Sequence, residues 1–313
     1  MSDTKQTLVV VAGPTAAGKS EAAVELARMI GGEIISADSM QVYKYMDIGS
    51  AKITKEEMMG VPHHLIDVAD PKDAFDVVRY AALAKEAIRD IASRGHVPIL
   101  CGGTGFYIQA VTRDIDFTET GSREARRAEL AQIAEKEGNE ALHKLLAAVD
   151  PDSARTIHPN NVKRVIRAIE YFEETGQSIY AHNEEEKLKE SPYDLHYFVI
   201  AMDRAKLYER IDRRVDFMME EGLYDEVMYL KAMGLSREDV SMQGLGYKEM
   251  LDCMDGLISL EEAVRVLKRD TRHFAKRQIT WFKREKDAVW LDRNDFGNDP
   301  IRIANYMKEQ ILC

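Results

Sequence analysis

Eight residues near the N-terminus, Gly13-Pro14-Thr15-Ala16-Ala17-Gly18-Lys19-Ser20, restrict the fold more than any other feature of this 313-residue chain. They follow a β-branched apolar run, Thr7 to Ala12 (TLVVVA). After them Ala23, Leu26, Ala27 and Ile30 fall at helical spacing over Ser20 to Ile30, where Gly31 and Gly32 stop the helix. A G-x-x-x-x-G-K-[ST] loop between a buried strand and a helix is a phosphate cradle. Glycines let successive backbone N–H groups turn into one concavity, and the helix N-terminus adds partial positive charge. Lys19 supplies a full charge, and the Ser20 hydroxyl suits Mg²⁺. The loop predicts a bound polyphosphate without specifying which one, or what becomes of it.

Further strands are expected at Glu33 to Ala37 and Val97 to Cys101, with a helix over Asp76 to Ser93 between them. This alternation describes an α/β fold, a parallel sheet flanked by helices on both faces. After about Arg113 the pattern changes. Arg123 to Glu137, Asn139 to Ala148 and Asn160 to Thr175 read as helices with no strand between them, and Glu184 to Glu190 is a solvated charge run. Strand character returns over Tyr193 to Met202 and briefly at Ala288 to Leu291. We therefore expect an α/β core made of residues 1–113 and 191–313, with an inserted all-helical subdomain at 114–190.

Asp38 ends the second predicted strand, and in a doubly wound sheet that end lies beside the phosphate loop. A carboxylate there serves as a general base, holds the water shell of Mg²⁺, or caps a helix. Asp67 is the rival for the metal. His63 and His64 are adjacent, so on a strand they point to opposite faces and cannot share a metal. Cys101, Cys253 and Cys313 lack metal or disulfide spacing and read as reduced thiols. No apolar run reaches the length of a membrane span, and Met1 to Gln6 has no leader pattern, so a cytoplasmic protein is expected.

The net charge of −11 argues against a general nucleic-acid coat but leaves room for a local basic groove. Leu260 to Arg284 is expected as one long helix. Leu260, Val264, Leu267, Phe274 and Phe282 share one face, and Arg265, Arg269, Arg272, Lys276 and Lys283 share the opposite one. From Lys268 to Lys286 there are eight basic and two acidic residues.

In order along the chain, GPTAAGKS, DSMQVYKYMDIGSAK, GGTGFY, IHPNNVKRVIRAIE, QGLGYKEM and KRQITWFKR resemble the bacterial tRNA dimethylallyltransferases, also called tRNA isopentenyltransferases. The resemblance runs from about residue 7 to 291, and the DSMQVY and KRQITWF blocks make it specific. It implies a P-loop NTPase-like core and transfer of a dimethylallyl group from dimethylallyl diphosphate. The acceptor is N6 of the adenine immediately 3′ of the anticodon, in tRNAs that read codons beginning with U. It gives Asp38 the role of base on N6 and places Thr15 near the reacting centre. Arg210 and Arg214 come near the diphosphate, and Mg²⁺ on Ser20 assists its departure. Ser39 and Met40 line the entrance, and the Gln41 amide suits an adenine edge. Thr104 and Arg126, the latter beside Arg123 and Arg127, are implied tRNA contacts. So are Lys163-Arg164-Val165-Ile166-Arg167, Gln243-Gly244-Leu245-Gly246-Tyr247-Lys248 and Lys276-Arg277-Gln278-Ile279-Thr280-Trp281-Phe282-Lys283. The partner would be a tRNA anticodon stem-loop, with the target base flipped out of its stack and the protein a monomer.

Three readings compete: a P-loop kinase of small molecules or nucleotides, which leaves the basic helix unexplained; a noncatalytic nucleotide-switched RNA-binding protein, in which Asp38→Ala leaves no chemical defect; and an adenylate isopentenyltransferase, which needs no RNA groove. A basic groove in an acidic chain has a measurable consequence. With about five phosphate contacts, anticodon stem-loop affinity falls on the order of a hundredfold over a fourfold rise in salt. Filter binding checks this, and a flat salt profile removes the groove.

Overall fold

The computed structural model describes residues 5–115 and 124–312. Arg123 and Cys313 therefore lie outside the described residues. In chain order the elements are β1 (Thr7–Ala12), α1 (Lys19–Ile30), β2 (Gly32–Ser36), β3 (His63–His64), α2 (Val77–Ser93), β4 (Val97–Gly102) and α3 (Gly105–Thr112). Helices α4 (Glu124–Glu137), α5 (Asn139–Val149), α6 (Pro151–Thr156), α7 (Val162–Thr175) and α8 (Ile179–Leu188) follow. The chain closes with β5 (Asp194–Ala201), α9 (Arg204–Glu220), α10 (Leu223–Ala232), α11 (Tyr247–Met254), α12 (Leu260–Phe282), β6 (Val289–Asp292) and α13 (Pro300–Leu312). It divides into two compact units, residues 1–112 with 191–313, and residues 113–190.

The first unit is built on a six-stranded parallel sheet in the order β3-β2-β4-β1-β5-β6. Strand β1 is buried on both faces, so its near-continuous apolar sequence follows. Leu8, Val10 and Ala12 enter one core with Tyr80, Ile88 and Phe282; Val9 and Val11 enter the other with Leu26, Phe198 and Met307. The two histidines form a short edge strand. The ring of His64 bonds the buried Glu33 carboxylate (2.7 Å), and His63 Nδ1 faces the Val61 carbonyl (2.9 Å). Their role is structural: Arg94 and His64 together hold Glu33 near a pKa of about 2, the Arg94 hydrogen bond being the larger cause.

The second unit packs Leu130, Leu142, Leu146, Val165, Ala168 and Ile169 into its own core. Helices α6 and α8 were not among the expected elements. Asp150 starts α6 by accepting from the Ser153 N–H (3.0 Å), with Pro151 in the first turn, where its missing N–H costs nothing. Ser178 starts α8, which takes in most of the charge run. Among the described residues no helix is long and apolar enough to cross a membrane. Cys101 and Cys253 are free thiols.

Gly102, at the end of β4, shows how tightly the strand ends abut. A Cβ there would lie 2.1 Å from the Ala37 carbonyl oxygen. Backbone cannot retreat as a side chain does, so Gly102→Ala should cost roughly 1–3 kcal/mol. Thermal unfolding should show a fall in Tm of several degrees; an unchanged Tm would contradict the packing.

Candidate active site

The loop between β1 and α1 turns through two left-handed residues, Ala16 (φ 62°) and Gly18 (φ 83°). Gly18 is the N-cap of α1 and offers no capping side chain, so the first-turn N–H groups remain open to an anion. Lys19 Nζ donates to the Pro14 carbonyl across the loop (2.9 Å). Desolvation lowers its pKa to about 8, and the cation of Arg214 pushes the same way.

A cavity of about 550 Å³ opens over this loop. Thr15, Lys19 and Ser20 line it, as do Asp38 and Gln41 beyond β2, Cys101 and Gly102 at the end of β4, Arg214 from α9, and Phe274 and Gln278 from α12. Glu21, Glu25, Glu56 and Glu57 form an acidic part of its wall. Asp38 is not a helix cap. Its Oδ1 accepts from the Met40 N–H (2.9 Å) in a tight turn, and no described residue bonds the other oxygen. The Thr104 hydroxyl accepts from the Ser39 N–H (3.1 Å), which joins the turn after β4 to the segment carrying Asp38. Gln41 accepts from the Ser36 hydroxyl (3.0 Å) and donates to the Ala51 carbonyl (3.3 Å), so its amide is held in place by its own chain. Met40 is half-buried and packs on Gly244.

Arg210 and Arg214 stand one turn apart on α9. Arg210 Nε donates to the Ala16 carbonyl (2.9 Å) and pairs loosely with Glu21 (3.6 Å). Neither Glu209 nor Asp212 holds it. Arg214 faces the cavity, and burial, then Arg210, lowers its pKa. Asp67, the rival metal ligand, is instead ion-paired with Lys52 (2.6 Å). The same ammonium donates to the Tyr43 carbonyl (2.9 Å), bracing the segment after Asp38.

The structure corrects several expected RNA contacts. Tyr247 is fully buried; its hydroxyl donates to Glu226 (2.9 Å), so it cannot stack on a base. That Glu226 carboxylate also accepts the N–H groups of Asp47 (2.9 Å), Ile48 (2.7 Å) and Gly49 (3.1 Å). The QGLGYKEM block thus fixes the loop whose Ala51 holds Gln41. Gly246 is buried too, Leu245 packs on the core, and Gln243 and Lys248 remain outward. Val165 and Ile166 belong to the core of the second unit, leaving exposed Lys163 and Arg164 with half-buried Arg167 on the helix surface. Arg126 is bound by Glu173 (2.5 Å) and Glu129 (2.8 Å), and Arg127 by Glu170 (2.9 Å).

Helix α12 is not a uniform stripe. Arg265, Lys268, Arg269 and Arg272 are ion-paired with Glu262, Asp216, Asp270 and Asp212. Lys276, Arg277, Lys283 and Arg284 are exposed and have no acidic partner among the described residues. On the inner side Phe282 is buried, Ile279 and Trp281 are half-buried, and Gln278 is 6 % exposed. The Thr280 hydroxyl bonds back to the Lys276 carbonyl. Sequence reasoning missed Glu226, which has no motif around it. It also missed the buried Arg293, which donates to the Ala17 carbonyl (3.2 Å) and to Glu21 (3.1 Å) beneath the loop.

The sequence model of the IPP transferase family matches residues 41–285, more than three-quarters of the chain. The chain belongs to the IPP transferase family. It is 57% identical to a curated tRNA dimethylallyltransferase of Lachnoclostridium phytofermentans over 97% of each chain. Among solved structures it resembles the tRNA isopentenylpyrophosphate transferase of Bacillus halodurans (46% identity, TM-score 0.74, 97% of this chain and 96% of that one). It also resembles the tRNA delta(2)-isopentenylpyrophosphate transferase of Staphylococcus epidermidis (42%, TM-score 0.72, 98% and 99%). A eukaryotic dimethylallyltransferase acting on tRNA matches at 31% identity and TM-score 0.80, over 92% of this chain and 74% of that one.

In this IPP transferase the donor set suits a hard cation that keeps most of its own water. Ser20 offers an exposed hydroxyl with no partner, and no cluster of three or more His, Cys, Asp or Glu placed to hold a metal occurs among the described residues. The half-buried ammonium gives the cradle a pH dependence. Lys19 with a pKa of about 8 loses its charge as pH rises through that value, whereas a bound anion restores it. Affinity for inorganic pyrophosphate should therefore fall between about pH 7 and about pH 9. Binding above pH 8 should take up a proton, which calorimetry detects as heat that varies with buffer ionisation enthalpy. Pyrophosphate affinity that is flat over this range would contradict the role of Lys19.

Proposed function

We propose that this transferase moves a dimethylallyl group from dimethylallyl diphosphate to N6 of the adenine 3′ of the anticodon, in tRNAs reading codons that begin with U. The observation that carries the reading is one cavity shared by two opposite chemistries: the cationic loop with Lys19 and Arg214, and the half-free carboxylate of Asp38.

An allylic carbon bonded to diphosphate ionises readily when the departing anion is stabilised. The N–H groups at the start of α1, with Lys19 and Arg214, would take that anion. Mg²⁺ on Ser20 would add Lewis-acid stabilisation of the same oxygens. As the carbon–oxygen bond breaks, the N6–carbon bond forms, and the N6 proton passes to the Asp38 carboxylate. Diphosphate leaves with the electron pair of the broken bond. The Met40 N–H holds one Asp38 oxygen and so orients the other. The Ser39–Thr104 bond steadies the segment. Adenine N6 is a weak nucleophile because its lone pair is delocalised into the ring, so a base at that atom matters.

The tRNA is gripped, in this reading, by Lys276, Arg277, Lys283 and Arg284 and, in the second unit, by Lys163, Arg164 and Arg167. Arg126, though ion-paired, lies on that unit's surface and can exchange Glu129 for a phosphate. The protein works as a cytoplasmic monomer. The kinase and adenylate readings gain nothing from the relatives, whose names all specify tRNA.

Replacing Asp38 by Asn keeps the shape and removes the base. Mass analysis of tRNA nucleosides should show turnover reduced by about 10²–10⁴-fold, with pyrophosphate affinity within a factor of about two of wild type. Full activity in Asp38→Asn removes the base from the mechanism.

A further inference from the structure

The KRQITWF block was expected to face RNA, yet its glutamine faces the phosphate loop. Gln278 Oε1 accepts the Thr15 N–H (2.8 Å), and Gln278 Nε2 donates to the Gly103 carbonyl (2.9 Å). The amide accepts from the one with its oxygen and donates to the other with its nitrogen. A carboxylate lacks the donor, and a thioether or alkyl chain leaves both buried backbone groups unpaired. The two ends it joins belong to different strands: Thr15 follows β1, and Gly103 follows β4. Gly103 is a glycine for this purpose, since a Cβ would lie 2.3 Å from Gln278 Nε2.

One turn on, Trp281 seats the same helix. A Cβ at Gly105 would lie 2.2 Å from its ring, and Phe106 meets that ring edge-on at 6.2 Å. The GGTGF turn and α12 are therefore cut to fit each other. The opposite side of this helix end carries Lys276, Arg277, Lys283 and Arg284, without acidic partners among the described residues. At its C-terminal end α12 thus has an inner face that touches the cradle and an outer face that is cationic.

We propose that Gln278 is a positioning residue for diphosphate binding: its amide fixes the Thr15 peptide against Gly103 and makes the shape of the cradle depend on the seating of α12. With its N–H turned to Gln278, Thr15 is withdrawn from the set of backbone donors and is held lining the cavity. The helix that carries the outward cations is thereby bonded directly to the loop that takes the leaving group. The inference rests on the reading of that loop as the diphosphate cradle.

The test uses full-length protein, inorganic pyrophosphate and an anticodon stem-loop, each titrated by calorimetry or filter binding. Gln278→Met removes both bonds at similar volume. Gly103→Ala displaces the amide without changing Gln278, and it carries the test if Gln278→Met does not fold. Each should weaken pyrophosphate about tenfold and raise KM for the prenyl donor, while stem-loop affinity stays within about twofold. Lys19→Ala is the reference for the cradle. If Lys19→Ala loses pyrophosphate and both other variants keep it, the positioning role is wrong and the cradle stands. If Lys19→Ala also keeps it, the cradle reading fails and the inference goes with it. Loss of stem-loop affinity with pyrophosphate affinity intact would make Gln278 an RNA contact. A lowered Tm with both KM values unchanged would reduce it to packing. Either result overturns the proposal.

Discussion

A half-buried lysine ammonium with no ion-paired carboxylate among the described residues is the constraint around which this site is built. Among the described residues Lys19 donates only to the Pro14 carbonyl, and desolvation lowers its pKa to about 8. The nearest acid on its own helix is Glu21, which could neutralise the cradle. It is instead occupied by Arg293 from below and by Arg210 from α9. Arg293 is 3 % exposed, and its remaining bonds go to the carbonyls of Ala17 and Asn298. A buried guanidinium is tolerable only when paired, and Glu21 is the acid that pairs this one (3.1 Å). Lys19 and Arg214 thus stand beside the loop without an ion-pair partner among the described residues, in a chain whose net charge is −11.

Strand order does the rest of the positioning. Strand β4 lies between β1 and β2, so the phosphate loop, the GGTG turn and the Asp38 segment emerge side by side from one edge of the sheet. Four hydrogen bonds stitch them: Ser39 to Thr104, Ala37 to Cys101, Thr15 to Gln278 and Gln278 to Gly103. The glycines of the turn are there because backbone, the Gln278 amide or an indole ring occupies the space a Cβ needs. A second layer, Glu226 with Tyr247, holds residues 47–49 and through them the neighbourhood of Gln41.

The alternation of short apolar runs with amphipathic helices was readable because a parallel strand buried on both faces leaves an unbroken Val-Ile-Leu signature. The cradle was readable for a different reason: its function forces residue types at fixed offsets. What escaped were side chains whose partners lie far away in sequence. Glu226 serves a loop 177 to 179 residues distant, and Arg293 reaches back 272 residues to Glu21. No local periodicity encodes such pairs. Gln278 and Tyr247 sat inside recognisable blocks, yet the blocks did not say which face of the helix each residue occupies. Tyr and Trp have both apolar bodies and polar tips, so residue type alone does not separate core from RNA contact. Helices α6 and α8 escaped because each is short, and their evidence was a cap residue rather than a periodic run.

The division of α12 changes how an acidic protein can recognise RNA. Helix charge counted from sequence treats every Arg and Lys alike. Yet the four cations nearer its N-terminus are neutralised by acids at Glu262, Asp216, Asp270 and Asp212, and such pairs release few counterions when RNA arrives. The cations near the C-terminal end have no such partners among the described residues, and their charge is concentrated within about two turns of helix. Those turns are the ones whose inner face carries Gln278 and Trp281. Spread along the whole helix, the same charge would hold RNA at many registers. Here it is confined to the end bonded to the phosphate loop, beside the cavity that Thr15, Asp38 and Gln278 line.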